Sequence, residues 1–202
     1  MNTQAMKQAL RQSIIAARQK LAVVEHDAFS LAIVKSIMQL DAYQRAKTVL
    51  AYMSFGAEFA TAAWVQHALQ DGKQVFLPRV NSSSRQLELF QVVDLQLDVA
   101  PGKWDIPEPL LQRCRRVEDS EQIDFILLPG VAFARDGSRL GYGGGFYDKL
   151  LERIDPASGH HHPLLAAAAF SLQLVAEIPQ EATDRKVDWL ITENEVIDCG
   201  IV

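Results

Sequence analysis

The segment DFILLPGVAF (Asp124–Phe133) carries a single charged side chain, and that one stands at its start. Strand side chains alternate between faces, so a strand that is apolar throughout must be covered on both sides. Such strands belong to parallel sheets flanked by helices. The segment is read as one continuous buried strand. TVLAYMSF (Thr48–Phe55), KQVFLPRV (Lys73–Val80), QLELFQVV (Gln86–Val93), LLAAAAF (Leu164–Phe170) and WLITEN (Trp189–Asn194) also have strand length and apolar content.

Helical spacing separates these strands. Leu10, Ile14, Ile15, Ala17 and Leu21 share one face, with Lys7, Arg11, Arg18 and Lys20 elsewhere. His26–Leu40 turns Phe29, Ile33, Ile37 and Leu40 inward. TAAWVQHALQDG is a helix stopped by Gly72, and FYDKLLERI (Phe146–Ile154) is another. Strands alternating with helices predict a layered α/β fold with a largely parallel sheet.

A chain of 202 residues, 49% hydrophobic and 22% charged, buries a sizeable core without division, so one domain over 1–202 is expected. The net charge of −5 gives no general attraction to nucleic acid or anionic membrane, though it permits a local basic pocket. Cys114 and Cys199 are far apart and have no metal-type spacing, which suits a reducing compartment. The first residues lack a signal peptide's apolar core, and no apolar run is long enough for a bilayer. The expected location is cytoplasmic.

RLGYGGGFYDKLL (Arg139–Leu151) places four glycines in five positions just before a helix. Such a loop exposes backbone N–H groups at a helix N-terminus, which suits phosphate. It is no Walker A loop, because no GK[ST] closes it. The Rossmann spacing fails at Phe146. Two uses remain open, a phosphate cradle and a tight turn. Asp148 is likewise either a first-turn acid stabilised by the helix dipole or a holder of Mg2+.

The run from Leu127 to Leu151 resembles the signature of the 5-formyltetrahydrofolate cyclo-ligase family. The match comprises Pro129, Gly130, Phe133, Gly137, Arg139, Leu140, Gly141, Gly143, Gly145, Phe146, Tyr147 and Asp148. Further family features follow in order: K-x-x-LR (Lys7–Arg11), AYMSFGAEFAT, FLPR, WDIPEP and DRKVDWLIT. The resemblance covers about residues 7–192 and implies a Rossmann-like three-layer α/β/α sandwich.

It implies ATP- and Mg2+-dependent closure of 5-formyltetrahydrofolate to 5,10-methenyltetrahydrofolate. Lys7, Arg11 and the loop residues Arg139, Leu140, Gly141, Tyr142, Gly143, Gly144, Gly145, Phe146 and Tyr147 would contact ATP. Met53, Glu58, Trp104, Tyr142, Gly145 and Phe146 would contact the folate. Arg139 and Tyr147 would act in catalysis, and Asp148 and Asp188 would hold Mg2+. The implied partners are the two small substrates, with no nucleic acid or membrane, and a monomer or weak homodimer. Gly144 stands where many members have lysine, so Arg139, Lys7, Arg11 or Mg2+ must supply the charge.

Taken singly, each residue has a plainer use. Lys7 and Arg11 would be a solvated helix face, Glu58 a helix-start acid, Trp104 core and Asp188 a strand-edge acid. Their order along one chain is what favours the site. The competing expectations are a non-catalytic folate-binding protein and a sugar-phosphate isomerase or CoA transferase relative. His160–His162 reads as a solvated loop, because adjacent histidines cannot all face one metal. Cys114 beside Arg113, Arg115 and Arg116 reads as a plain thiol.

Overall fold

The computed structural model describes residues 3–102, 105–118, 122–154, 162–181 and 184–200. Three helices, α1 (Thr3–Arg18), α2 (Val23–Gln39) and α3 (Asp41–Arg45), precede the first strand, β1 (Thr48–Leu50). Helix α4 (Thr61–Gln70) leads to the hairpin of β2 (Gln74–Asn81) and β3 (Gln86–Val92). After α5 (Leu95–Asp98) come β4 (Val99–Pro101), β5 (Pro107–Pro109) and β6 (Arg115–Val117). β7 (Phe125–Leu128), β8 (Ala132–Ala134) and β9 (Arg139–Leu140) run into the glycine loop and α6 (Phe146–Ile154). β10 (Leu164–Ala168), β11 (Leu174–Val175), β12 (Trp189–Ile191) and β13 (Val196–Asp198) follow.

The main sheet has eight strands in the order β13-β12-β10-β7-β1-β2-β3-β6. The five from β12 to β2 are parallel, while at the margins β13, β3 and β6 join by antiparallel pairings with β12, β2 and β3. β7 lies at its centre and alternates between two cores. Phe125 and Leu127 face Ile33, Ile37, Tyr43, Trp64 and Val65 of α2, α3 and α4. Ile126 and Leu128 face Leu150 and Leu151 of α6. Helices thus cover both faces of a largely parallel sheet, giving the three layers that the apolar strands require.

The run Asp124–Phe133 is not one strand. It ends at Leu128, and Pro129–Gly130 sends the chain into a second sheet of order β11-β8-β9. Proline has no N–H for the ladder. A Cβ on Gly130 would lie 2.4 Å from the Phe133 ring, so only glycine lets the chain fold back there. Thr48–Phe55 is a strand only to Leu50, with one further bond from the Ala51 amide to the Phe76 carbonyl at 2.9 Å. α2 begins at Val23, earlier than His26, because Glu25 accepts the Ala22 amide at 3.2 Å. WLITEN is a strand to Ile191, where a turn at Thr192 leads into β13.

Tyr43, Trp64 and Phe125 form one aromatic cluster with centroids 5.7–6.1 Å apart. Phe125→Ala is predicted to reduce unfolding free energy by about 3–5 kcal/mol. A urea titration should show a lower midpoint with an unchanged slope.

Candidate active site

Helix α1 brings Lys7, Arg11, Ile14 and Arg18 onto one stripe, in steps of four, three and four. The stripe faces inward. Lys7 and Arg18 are 6% and 4% exposed, so neither stands on a solvated helix face. α1 covers the small sheet, where Ile14 packs with Val131, Ala132, Leu140 and Ile178. Polar partners receive the charged heads there. Lys7 Nζ lies 2.9 Å from Asp184 Oδ2 and 3.5 Å from Glu181 Oε1. Arg11 Nε donates to the Gly141 carbonyl at 2.7 Å, and Arg18 Nη2 donates to the Tyr142 hydroxyl at 2.8 Å.

Lys7 and Arg11 border a cleft of about 820 Å³, which also takes in Tyr52, Met53 and Phe55 after β1 and Pro129 after β7. It therefore lies beyond the carboxyl ends of the central parallel strands, where ligands bind in open α/β sheets. Every residue from Arg139 to Asp148 lines it. Gly143 and Gly145 have φ of 96° and 64°, the left-handed region that glycine enters without strain. The first-turn amides of α6 have no intrahelical partner, as at any helix start. A Cβ on Gly144 would come within 2.7 Å of the Phe146 ring, so a side chain there requires that ring to move. Arg11 supplies a nearby charge instead: its guanidinium lies 3.6 Å from where a Cβ on Gly143 would stand.

Arg139 is 8% exposed and spans two elements. Nη1 donates to the Pro129 carbonyl at 3.2 Å, and Nη2 pairs with Asp148 Oδ1 at 2.6 Å. The residue expected to neutralise an incoming charge thus already holds an acid. Glu58 is 4% exposed. Its Oε1 accepts the Tyr142 hydroxyl at 2.5 Å and its Oε2 the Phe55 amide at 3.1 Å. Burial pushes the Glu58 carboxyl above its ordinary range, opposed by those two hydrogen bonds and by Arg18. Burial likewise raises the phenols of Tyr52, Tyr142 and Tyr147, helped by the Glu58 charge. Tyr147 therefore stays a neutral donor, not a base.

The cleft gathers Lys7, Arg11, Met53, Glu58 and the whole loop through Asp148. It does not gather Asp188. That carboxylate accepts the Leu165 amide at 2.8 Å, at the start of the parallel strands and away from the cleft. Asp124 does the same for Thr48. An acid just before a parallel strand ties down its neighbour's first amide, so Asp188 is part of the sheet and not a metal ligand of this cleft. Asp184, four residues earlier, reaches the cleft instead. Among the described residues no cluster of three metal-ligating side chains occurs. Trp104 lies outside the described residues, as do His160 and His161. Its neighbours Ile106, Pro107 and Glu108 do line the cleft, whereas His162 does not. Sequence reasoning missed Arg18, Tyr52, Phe55 and Asp184. The one available signal was that Arg18 continues the Lys7–Arg11 stripe.

Residues 3–193 match the model of the 5-formyltetrahydrofolate cyclo-ligase family. A probable 5-formyltetrahydrofolate cyclo-ligase of Schizosaccharomyces pombe is 30% identical over 198 residues, covering 95% of this chain and 97% of that one. The 5-formyltetrahydrofolate cyclo-ligase of Escherichia coli (strain K12) is 32% identical over 151 residues, covering 75% of this chain and 80% of that one. An NMR structure of Aquifex aeolicus 5,10-methenyltetrahydrofolate synthetase superposes with a TM-score of 0.83 at 29% identity, covering 98% of this chain and 94% of that one.

The raised Glu58 carboxyl makes a stability prediction. A carboxyl whose folded pKa exceeds its unfolded value contributes stability below the unfolded value and loses it as pH rises through the folded one. The unfolding free energy of the wild type, minus that of Glu58→Gln, should therefore fall as pH rises from about 4 to 7. Denaturant titrations at both ends measure this difference. A flat or rising difference would contradict the burial assignment.

Proposed function

The chain belongs to the 5-formyltetrahydrofolate cyclo-ligase family, and from that premise we propose how its cleft closes the folate ring. The reaction turns 5-formyltetrahydrofolate into 5,10-methenyltetrahydrofolate. Oxide is a poor leaving group, so the formyl oxygen is first activated. It attacks the γ-phosphorus of ATP and ADP departs, leaving an imidate phosphate. N10 then attacks the formyl carbon, inorganic phosphate leaves and N10 loses its proton. In such transfers a protein mostly positions groups and stabilises charge.

One observation carries this division of labour. The glycine loop with Arg11 and the buried acceptor Glu58 border the same 820 Å³ cleft. The loop amides and the first turn of α6 cradle the ATP phosphates, as helix N-termini do for anions. Arg11 supplies the permanent charge beside Gly143. Glu58 accepts pterin N–H groups, with Met53 and Phe146 against the ring. Tyr147 donates a hydrogen bond to the transferring group, and Arg139 holds Asp148 in place.

Asp148 and Asp184 would hold Mg2+. Each keeps one carboxylate oxygen without a hydrogen bond among the described residues, and both line the cleft. Mg2+ takes one or two carboxylates beside phosphate oxygens. When bound it would neutralise charge on the phosphates. The proposed setting is cytoplasmic, with two small-molecule substrates; the net charge of −5 favours neither nucleic acid nor anionic membrane.

Protein, ATP, Mg2+ and 5-formyltetrahydrofolate should generate the near-ultraviolet absorbance of the methenyl product only when ATP is present. Tight folate binding without that product would overturn the catalytic reading. Arg11→Met should raise the KM for ATP about tenfold, a charge-assisted hydrogen bond's worth, with the folate KM within about twofold. An unchanged KM for ATP would remove Arg11 from the phosphate site.

A further inference from the structure

We propose that Arg18 is a positioning residue for folate binding that holds the Glu58 carboxylate ionised and oriented through the Tyr142 phenol, an inference that rests on the folate reading of Glu58. Arg18 is the last residue of α1 and is buried. A solvated arginine at a helix end would point outward, as the exposed Lys20 does two residues later. Arg18 instead sends its guanidinium into the protein, where Nη2 donates to the Tyr142 oxygen at 2.8 Å. Its Nε is buried with no hydrogen-bond partner among the described residues.

The direction of the chain of bonds follows from proton counting. A guanidinium only donates, so the Tyr142 oxygen must accept from it. The phenol has one proton, and that proton then lies toward Glu58 Oε1, 2.5 Å away. The second oxygen accepts the Phe55 amide at 3.1 Å. Both carboxylate oxygens thus meet donors, which suits the anion and disfavours a protonated acid. A cation donating to a phenol also polarises its O–H, strengthening the next bond in the series. The Phe55 ring packs on the Tyr142 ring at 5.3 Å between centroids, so the phenol is clamped from its side as well.

Other titratable groups face Glu58 from several elements. Tyr52 after β1 and Tyr147 on α6 are both neutral phenols under burial. His26 on α2 lies 2.7 Å from the Glu58 backbone carbonyl, not its carboxylate. Arg18 is the cation whose charge opposes the desolvation of this acid. Pterin N–H groups need acceptors, and a protonated or rotated Glu58 would offer fewer. Arg18 therefore acts on folate and not on ATP, although Lys7 and Arg11 of the same stripe border the phosphate loop.

Steady-state kinetics and equilibrium folate binding of Arg18→Met, Arg18→Lys and Arg18→Met in a Tyr142→Phe background test this. Arg18→Met should raise the KM and the dissociation constant for 5-formyltetrahydrofolate about tenfold, with the KM for ATP within about twofold. The acid limb of its folate-KM profile should move to higher pH. Arg18→Lys should fall between wild type and Arg18→Met, and it carries the test should the methionine variant not fold. Behind Tyr142→Phe, Arg18→Met should add little. Equal rises for both substrates, an unmoved acid limb, or additive effects in the double variant would overturn the proposal. A wild type that binds folate without turnover would overturn the reaction, while the binding contrast would still decide the role of Arg18.

Discussion

A buried guanidinium must find its partners inside the protein, because an uncompensated buried charge costs about 3–5 kcal/mol. Arg139 finds two. It donates to the carbonyl of Pro129, where the central strand β7 stops, and it pairs with Asp148 in the first turn of α6. One side chain thus fixes the distance between the end of the sheet and the start of the helix that covers it. The glycine loop is the chain stretched between those points. Its left-handed residues Gly143 and Gly145 let the chain turn between these two anchors. The Pro129–Gly130 break and the Arg139 brace therefore belong to one device, which opens the cleft where β7 ends.

The electrostatics of the cleft follow from turning cations inward onto hydrogen-bond acceptors, of which only one is a carboxylate. The chain is acidic in sum, yet α1 turns Lys7, Arg11 and Arg18 toward the loop. Each meets a different partner: the Asp184 carboxylate, the Gly141 carbonyl and the Tyr142 hydroxyl. Lys7 and Arg11 border the side suited to phosphate. Arg18 lies behind the cleft wall, where it donates to the Tyr142 hydroxyl that meets Glu58. In the proposed reading, a single helical stripe thereby serves both the phosphate side and the folate side of one cavity. A side chain at position 144 would require the Phe146 ring to move, and Arg11 brings a charge to the same loop from α1.

Much of this was legible locally. FYDKLLERI is a helix over the residues that its spacing indicates, and the glycine cluster before it does line a ligand-sized cleft. Strands β4, β5, β6 and β8 have three residues each and β9 and β11 two, too few for any periodicity to register. The apolar spacing of α1 does find Leu10, Ile14 and Ile15 against the small sheet, but it does not show the burial of Lys7 and Arg18. Apolar spacing carries no signal for cations that turn inward to meet a carboxylate, a loop carbonyl and a phenol. Asp188 was misjudged because an acid before a strand looks the same whether it serves a metal or a backbone amide.

By itself the sequence determined the layering. Strands apolar at every position demand cover on both faces, and the amphipathic segments between them can only be that cover. It also marked the loop, since four glycines before a helix suit either a phosphate cradle or a tight turn. Only the tertiary structure decided which acids and cations meet. Asp184 and not Asp188 reaches Lys7, and Arg18 reaches Glu58 only through Tyr142, 124 positions away. Such pairings depend on how elements distant in the chain are stacked, and local spacing carries no information about distances across a fold.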